Sequence, residues 1–411
     1  MTEWGAMNVT VIGQGYVGLP IAVNAAENGF KVIGFDSDTE KISRLKLGVT
    51  DSSEVSHKTL LNLQSRGDLV FVSELNNEIK SEIIVIAVPT PLDSKHQPDL
   101  SMLEKACLTI AKFIQPKTLV INESTSYIGT LRSFVKVKIE ENSSVSEIDY
   151  AVAPERIDPS NHMWNVSNTP RIVSGLTERA SSRAIDFYEK FCKTVHKVSS
   201  PEVAEAAKLF ENTFRLVNIS LVNELSQLAN ALNFSIHEVV AAASTKPFGF
   251  MPFYPSVGIG GHCIPIDPSY LSYSAKRMGV DASFIDLANR INLSMPEQIA
   301  KRIEEKFDGN LKGRRIQLAG ITYKPNVSDL RESPALTLME KLEKLGANVT
   351  WFDPLVGEFD FKKSVPLMTN IDLGIIISPH SVIDFSIWKL NGTKVIDLSS
   401  SPASYGWPKF L

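Results

Sequence analysis

Cysteine is scarce in this sequence, with three residues, Cys107, Cys192 and Cys263, among 411. They are too few and too scattered for a disulfide framework or a zinc site, and no histidine and carboxylate spacing suggests another metal. An excess of either charge is missing too: 42 basic side chains stand against 46 acidic ones, with no block of one sign. That balance argues against a chain that coats nucleic acid and against a disordered polar tail. No apolar run reaches membrane-spanning length, and Met1 to Met7 shows no basic stretch leading into an apolar core. A soluble, cytoplasmic protein is expected, with no membrane partner. The length allows two or three domains of roughly 150 residues each.

The chain opens with a strand, Asn8 to Ile12, and the turn Gly13-Gln14-Gly15-Tyr16-Val17-Gly18. An alanine-rich helix and a second strand, Lys31 to Phe35, follow, closing on Asp36. Glycines in such a βαβ unit let the backbone approach a pyrophosphate resting on the helix N-terminus. A carboxylate at Asp36 bonds ribose hydroxyls and repels a 2′-phosphate, and Ser37 and Asp38 supply no arginine clamp, so NAD is favoured over NADP. Further strands are expected at Ile83 to Val88, Thr118 to Ile121 and Ala151 to Ala153, with a helix over Ser101 to Phe113. They end in the turns Pro89-Thr90-Pro91, Glu123-Ser124-Thr125 and Pro154-Glu155-Arg156. Ligands in open α/β sheets bind beyond the carboxyl ends of the strands, so these turns should line one crevice.

From Ser200 the period becomes helical: Glu202 to Leu232 runs without glycine or proline, followed by helices at Ser235 to Ala243 and Tyr270 to Met278. The loop between the last two, Thr245 to Cys263, is apolar, aromatic and almost uncharged, a composition that wraps a ligand or a partner chain. A last α/β unit follows, with strands at Arg315 to Ala319, Val349 to Phe352, Leu373 to Ser378 and Val395 to Leu398, and a helix from Ser333-Pro334 to Leu345. Its first turn, Gly320 to Lys324, lacks the glycine triplet and should hold something other than NAD. The fold class expected is α/β, two Rossmann-like doubly wound domains joined by a central helical segment with a long helix, bounded at residues 1–199, 200–297 and 298–411.

Cys263 follows Gly258-Ile259-Gly260-Gly261-His262; the glycines strip away packing partners and open the thiol to a ligand. A helix beginning near Pro265 would place orphan backbone donors beside it and favour the thiolate. The alternative is a buried structural cysteine, the role that fits Cys107 and Cys192, both expected at apolar positions of helices. Asp267 is either a partner of Cys263 or an ordinary helix-start carboxylate. Lys208 and Asn212 point the same way, one turn apart, although composition alone favours a solvated lysine.

Taken in order, Gly13-x-Gly15-x-x-Gly18, Val88-Pro89-Thr90-Pro91, Glu123-Ser124-Thr125, Pro154-Glu155-Arg156, Lys208-x-x-x-Asn212, Gly260-Gly261-His262-Cys263-Ile264-Pro265-x-Asp267 and Tyr323-Lys324 through Arg331-Glu332-Ser333-Pro334 resemble the nucleotide-sugar 6-dehydrogenases. The Gly-Gly-His-Cys-Ile-Pro run, with Lys246 to Phe250 and Phe253-Tyr254-Pro255, is similar to the N-acetylhexosamine branch, above all the UDP-N-acetylglucosamine enzymes; UDP-N-acetylmannosamine and UDP-glucose remain open. The resemblance implies a four-electron oxidation of C6 with two NAD, through a thiohemiacetal and a thioester on Cys263. Lys208 and Asn212 would hold the oxyanion, Asp267 would accept a proton through water, and Glu155 would assist hydrolysis. Gly13, Gly15, Tyr16, Val17, Gly18, Asp36, Lys41, Thr90, Thr125 and Arg331 match cofactor positions. Glu155, Arg156, Lys208, Asn212, Lys246, Phe253, Tyr254, Gly260 and Lys324 match positions for the UDP-sugar substrate. It also implies a homodimer through the central helix.

Overall fold

The computed structural model describes residues 7–411 apart from 51, 53, 77–78, 94–96, 158–162, 402–404 and 408. It divides into two compact units, with the boundary between Phe210 and Glu211.

The first unit is built on an eight-stranded sheet. Its early elements are β1 (Asn8–Ile12), α1 (Gly18–Glu27), β2 (Lys31–Phe35), α2 (Thr39–Lys46), α3 (His57–Ser65) and β3 (Leu69–Val72). β4 (Ile83–Ile86), α4 (Ser101–Phe113), β5 (Leu119–Asn122), α5 (Lys136–Glu141) and β6 (Asp149–Val152) come next. β7 (Arg171–Gly175), α6 (Glu178–Tyr188), β8 (Val195–Lys197) and the start of α7 (Pro201–Ala231) complete it. The strand order is β3-β2-β1-β4-β5-β6-β7-β8, parallel throughout except between β6 and β7. Strands buried on both faces read as unbroken apolar runs, as in the Ile-Ile-Val-Ile of β4, because helices cover each side. Alternate residues accordingly enter different cores: Val85 and Ile121 join Val9 and Val11, whereas Ile84, Ile86 and Val120 join Leu103 and Ile110 of α4.

The second unit continues α7 and adds α8 (Ile236–Ser244), α9 (Asp267–Arg277) and α10 (Ser283–Glu305). A four-stranded parallel sheet follows, formed by β9 (Arg315–Ala319), β10 (Asn348–Phe352), β13 (Leu373–Ile376) and β14 (Val395–Asp397) in the order β10-β9-β13-β14. α11 (Pro334–Lys344), the hairpin β11 (Glu358–Phe359) and β12 (Lys362–Lys363), and α12 (Ser386–Leu390) complete the unit. No described helix is long and apolar enough to cross a membrane.

Two local expectations change. α9 starts at Asp267 rather than near Pro265, because the Cys263 carbonyl accepts the N–H groups of Ile266 and Asp267 in a turn that precedes the helix. Cys192 lies just past α6 rather than within a helix, buried, with its Sγ 3.4 Å from the Val166 carbonyl.

Candidate active site

Three helices of the first unit start on a side-chain cap: Asp38 accepts from Lys41 N, Ser56 from Thr59 N and Thr177 from Ala180 N. α1 has neither a side-chain cap nor an acidic residue in its first turn. Leu19 N donates to Gly15 O at 3.2 Å and Pro20 has no N–H, so what the helix start offers an anion is the Gly18 N–H and the positive end of the dipole. Gly13 holds φ at 92°, and a Cβ there would be driven into the Ala87 carbonyl oxygen across the switch point between β1 and β4. A Cβ on Gly18 would strike the Gly13 carbonyl, whereas nothing lies within 4 Å of one on Gly15, so a phosphate can approach the backbone there. Asp36 Oδ2 accepts from Gln14 N and from Lys41 Nζ, each at 2.9 Å, and Oδ1 accepts from Asp38 N at 3.0 Å. These residues fit a dinucleotide: a helix end without a side-chain cap for the pyrophosphate and a fixed carboxylate for the ribose.

The turns beyond β4, β5 and β6 are adjacent, as their strands are. Thr90 donates its hydroxyl to the Thr125 carbonyl, and Ser124 Oγ both accepts from Val88 N and donates to Val88 O, at 2.9 and 2.8 Å. Glu155 is 7% exposed, and Arg156 Nη1 donates to Pro170 O at 2.9 Å. Nearby on α7, Glu205 accepts the N–H groups of Gly129 and Leu131, at 2.6 and 2.9 Å. Lys208 is 8% exposed, so the solvated reading of this lysine does not hold. A cavity of about 500 Å³ opens at the amino-terminal edge of β4–β6, away from these turns. Its Arg179 and Arg183 are engaged by Asp149, so it has no place in this chemistry.

In the second unit Asn212, Cys263 and Asp267 come together. Asp267, 3% exposed, opens α9, and its Oδ2 accepts from Asn212 Nδ2 at 2.5 Å. Cys263 is exposed, unlike the buried Cys107 and Cys192. Its loop is clamped at each step: Ser256 N donates to Asn223 Oδ1 at 2.9 Å, Ile259 N to Asn292 Oδ1 at 2.7 Å and Gly261 N to Arg331 O at 2.9 Å. Gly260 and Gly261 lie against Tyr323, where added Cβ atoms would come within 2.6 and 2.8 Å of it. The thiol loop is thus packed on the first βα loop of the second sheet, which also carries Lys324. Arg331 belongs to this unit as well, its guanidinium held by both oxygens of Asp329. Phe253 packs edge-on to Phe214, Tyr254 stacks on His237, and Lys246 lies over the Phe248 ring.

Asn292, the histidine His380 beside Asp353, and Arg171 between Glu123 and Glu155 have no signal of their own in the sequence. Each acts through a partner dozens of residues away.

Three family models match the chain in order: the UDP-glucose/GDP-mannose dehydrogenase family NAD binding domain over residues 7–192, the central domain over 202–294 and the UDP binding domain over 317–392. Protein CapL of Staphylococcus aureus is 36% identical over 91% of this chain and 90% of its own length. The UDP-N-acetyl-D-glucosamine 6-dehydrogenase of Pseudomonas aeruginosa is 34% identical over 86% and 84%. Among solved structures, a UDP-D-ManNAc dehydrogenase from Pyrococcus horikoshii superposes with a TM-score of 0.88 at 31% identity, covering 98% of this chain and 97% of that one.

Proposed function

The chain belongs to the UDP-glucose/GDP-mannose dehydrogenase family and is an NAD-dependent oxidoreductase, a UDP-N-acetylhexosamine 6-dehydrogenase; from that premise we propose that it oxidises C6 of UDP-N-acetylglucosamine to the uronic acid through a covalent bond to Cys263, in surface polysaccharide precursor synthesis. The observation that carries the reading is the exposed Cys263 thiol, on a loop clamped to the UDP-binding fold, with Asp267 and Asn212 beside it. Names of relatives include both N-acetylglucosamine and N-acetylmannosamine enzymes, so the manno epimer is the second reading.

Bound NAD supplies the hydride acceptor for each of two oxidations. Lys208 and Asn212 stabilise negative charge on the C6 oxygen as it loses its proton; the second N–H on Asn212 Nδ2 remains for this task beside the bond to Asp267. Asp267 takes the proton through a water. Cys263 Sγ then bonds to C6 of the aldehyde, and the new C6 oxygen takes the thiol proton. Loss of a second hydride, with that hydroxyl proton, leaves a thioester on Sγ. Glu155 takes a proton from water as its oxygen bonds to C6; the C6–Sγ bond breaks, leaving the carboxylate and, after protonation, the thiol. Each preorganised donor to the oxyanion is worth roughly 3 kcal/mol of barrier.

An exposed apolar stripe on α7, Phe214, Leu221 and Leu228 at seven-residue spacing flanked by Phe210 and Leu232, supports a homodimer through this helix. A cytoplasmic location fits two soluble nucleotide ligands.

NADH formed per sugar, measured with UDP-N-acetylglucosamine, UDP-N-acetylmannosamine and UDP-glucose, tests the proposal. Two NADH per sugar and a preference for the first are expected; a preference for UDP-glucose overturns the choice. Cys263→Ser is expected to bind both ligands yet release free acid far more slowly, and wild-type turnover in that variant removes the covalent route.

A further inference from the structure

The Glu155 carboxylate is part of a buried cluster within the first unit. Arg171, the first residue of β7, has a side chain only 3% exposed; its Nη1 lies 3.0 Å from Glu123 Oε2 and its Nη2 2.8 Å from Glu155 Oε2. Tyr188, the last residue of α6, donates its hydroxyl to Glu123 Oε1 and sets its ring under the guanidinium, 4.9 Å from the centroid. Glu155 Oε1 is occupied by the N–H groups of Arg156 and Ile157, at 2.5 and 2.7 Å. Its Oε2 meets Arg171 as an ion-pair partner off the hydrogen-bonding line and makes no hydrogen bond. One oxygen is therefore pinned by the backbone, and the other keeps a lone pair for a water.

Two carboxylates against one guanidinium would leave an excess negative charge in a site with little water, an unfavourable state. Burial pushes Glu123 up to about 7, with Arg171 opposing the rise and Glu155 adding to it. Burial also works against the Arg171 charge, yet Glu123 and Glu155 hold it well above its ordinary range. Of the two carboxyls, Glu123 is the one that burial pushes toward its protonated form, and the guanidinium stands between it and Glu155. Cys192, beside Arg171, and Glu54, pushed up by partial burial and by the Glu155 charge, are the other titratable groups facing the cluster.

We propose that Arg171 is the positioning residue of Glu155, holding that carboxyl group in one orientation through the contact between Nη2 and Oε2, with Glu123 and Tyr188 fixing the arginine in turn. The inference rests on the reading of Glu155 as the group that assists thioester hydrolysis.

Steady-state kinetics of the full chain with NAD and UDP-N-acetylglucosamine test both layers. Glu155→Gln is expected to lower kcat about 100-fold with little change in KM. Arg171→Met should lower kcat by the same order, also at unchanged KM. Arg171→Lys should recover part of the loss, since a lysine restores charge without the two-pronged geometry. Because Arg171→Met strands two buried carboxyl groups, Glu123→Gln/Arg171→Met is made beside it to remove one of them, and NAD binding verifies that each variant folds. A full-rate Glu155→Gln overturns the functional reading. A damaged Glu155→Gln together with a folded Arg171→Met double variant at wild-type rate overturns the positioning role alone.

Discussion

At the first switch point Gly13 follows β1 with φ at 92°, and at the second Gly320 follows β9 with φ at 78°; a side chain on either would be driven into a carbonyl of the facing strand's end, Ala87 in one case and Ser378 in the other. The acid after the second strand recurs as well. Asp36 Oδ2 accepts from Gln14 N and Asp353 Oδ2 from Ile321 N, both at 2.9 Å. Beyond that the two repeats part. Asp36 pairs with Lys41, whose side chain is 39% exposed, so its carboxylate stays within reach of a ribose. Asp353 pairs at 2.9 Å with His380, and both side chains are 0% exposed. His380 Nδ1 accepts from Asn326 N, so Nε2 carries the proton toward Asp353, and the carboxylate is consumed in holding the loop. The helices differ in where they start: α1 begins at the third glycine, whereas α11 begins only at Pro334, after the loop that packs against Gly260 and Gly261. One turn geometry thus serves a dinucleotide when its acid is left reachable, and serves the protein's own loops when a buried histidine takes the acid.

The largest effects should come from the glycines. Gly13→Ala is expected to weaken NAD at least about 100-fold while sparing UDP, and Gly320→Ala to do the reverse, because the backbone at each switch point has no room to yield. Calorimetric titration with each nucleotide decides it; loss of both ligands from either variant breaks the comparison.

A smaller contrast is expected at the acids. Asp36→Asn should weaken NAD about 10-fold and leave stability nearly unchanged. Asp353→Asn should cost about 1–3 kcal/mol in urea unfolding and leave NAD affinity intact, since it removes a buried acceptor from its donors. Equal loss of stability in the two would erase the distinction.

The repeats should also answer pH in opposite directions. Burial pushes Glu205 in the first unit up to about 7 from an ordinary value of 4.5, against the two N–H groups it accepts. The folded chain then holds a proton that the unfolded chain releases, so this contribution falls as pH rises from 4.5 to about 7. Burial works against the Asp353 charge too, but hydrogen bonds from His380, Leu355 N and Ile321 N hold its carboxyl below the ordinary 3.8. Its contribution is present above 3.8 and is lost as pH falls below that value. Unfolding followed at several pH values from 4.5 to 7 should give a shallower slope for Glu205→Gln than for wild type, and equal slopes would remove Glu205 from the account. Glu123 shifts the same way, so part of the slope should survive.

Smallest of all are the changes expected at the thiols of the first unit. Burial pushes Cys107 up to about 12 and Cys192 up to about 11, so neither should be alkylated near neutral pH, whereas exposed Cys263 should be. Peptide mapping after brief iodoacetamide treatment reads this directly. Cys107→Ser and Cys192→Ser should keep turnover within about twofold of wild type, their effects falling on packing.

Strong periods were legible in the chain. The helix expected at Ser101 to Phe113 and the strand at Arg315 to Ala319 have those bounds in the structure, and the long run from Glu202 became Pro201–Ala231. α10 is illegible in the chain because Pro296 inside it reads as a breaker; the structure buries that proline with Met295 in the helix interior. β7 and β8 were missed because they are short and β7 runs antiparallel to a sheet otherwise read as parallel. Lys208 was misjudged from composition, since the rarity of buried lysine is a statistic about all proteins and says nothing of a charge at a site.

The order of strands and helices, the glycine turn suited to NAD and the exposed setting of Cys263 were written in local patterns, because backbone reach, helix period and side-chain size act over a few residues. Asn212 meeting Asp267, Gly260 and Gly261 closing on Tyr323, and Arg171 standing between Glu123 and Glu155 were decided only when distant segments packed. Burial removes water from each of these groups, and a polar group without water must find its partner wherever the fold brings one.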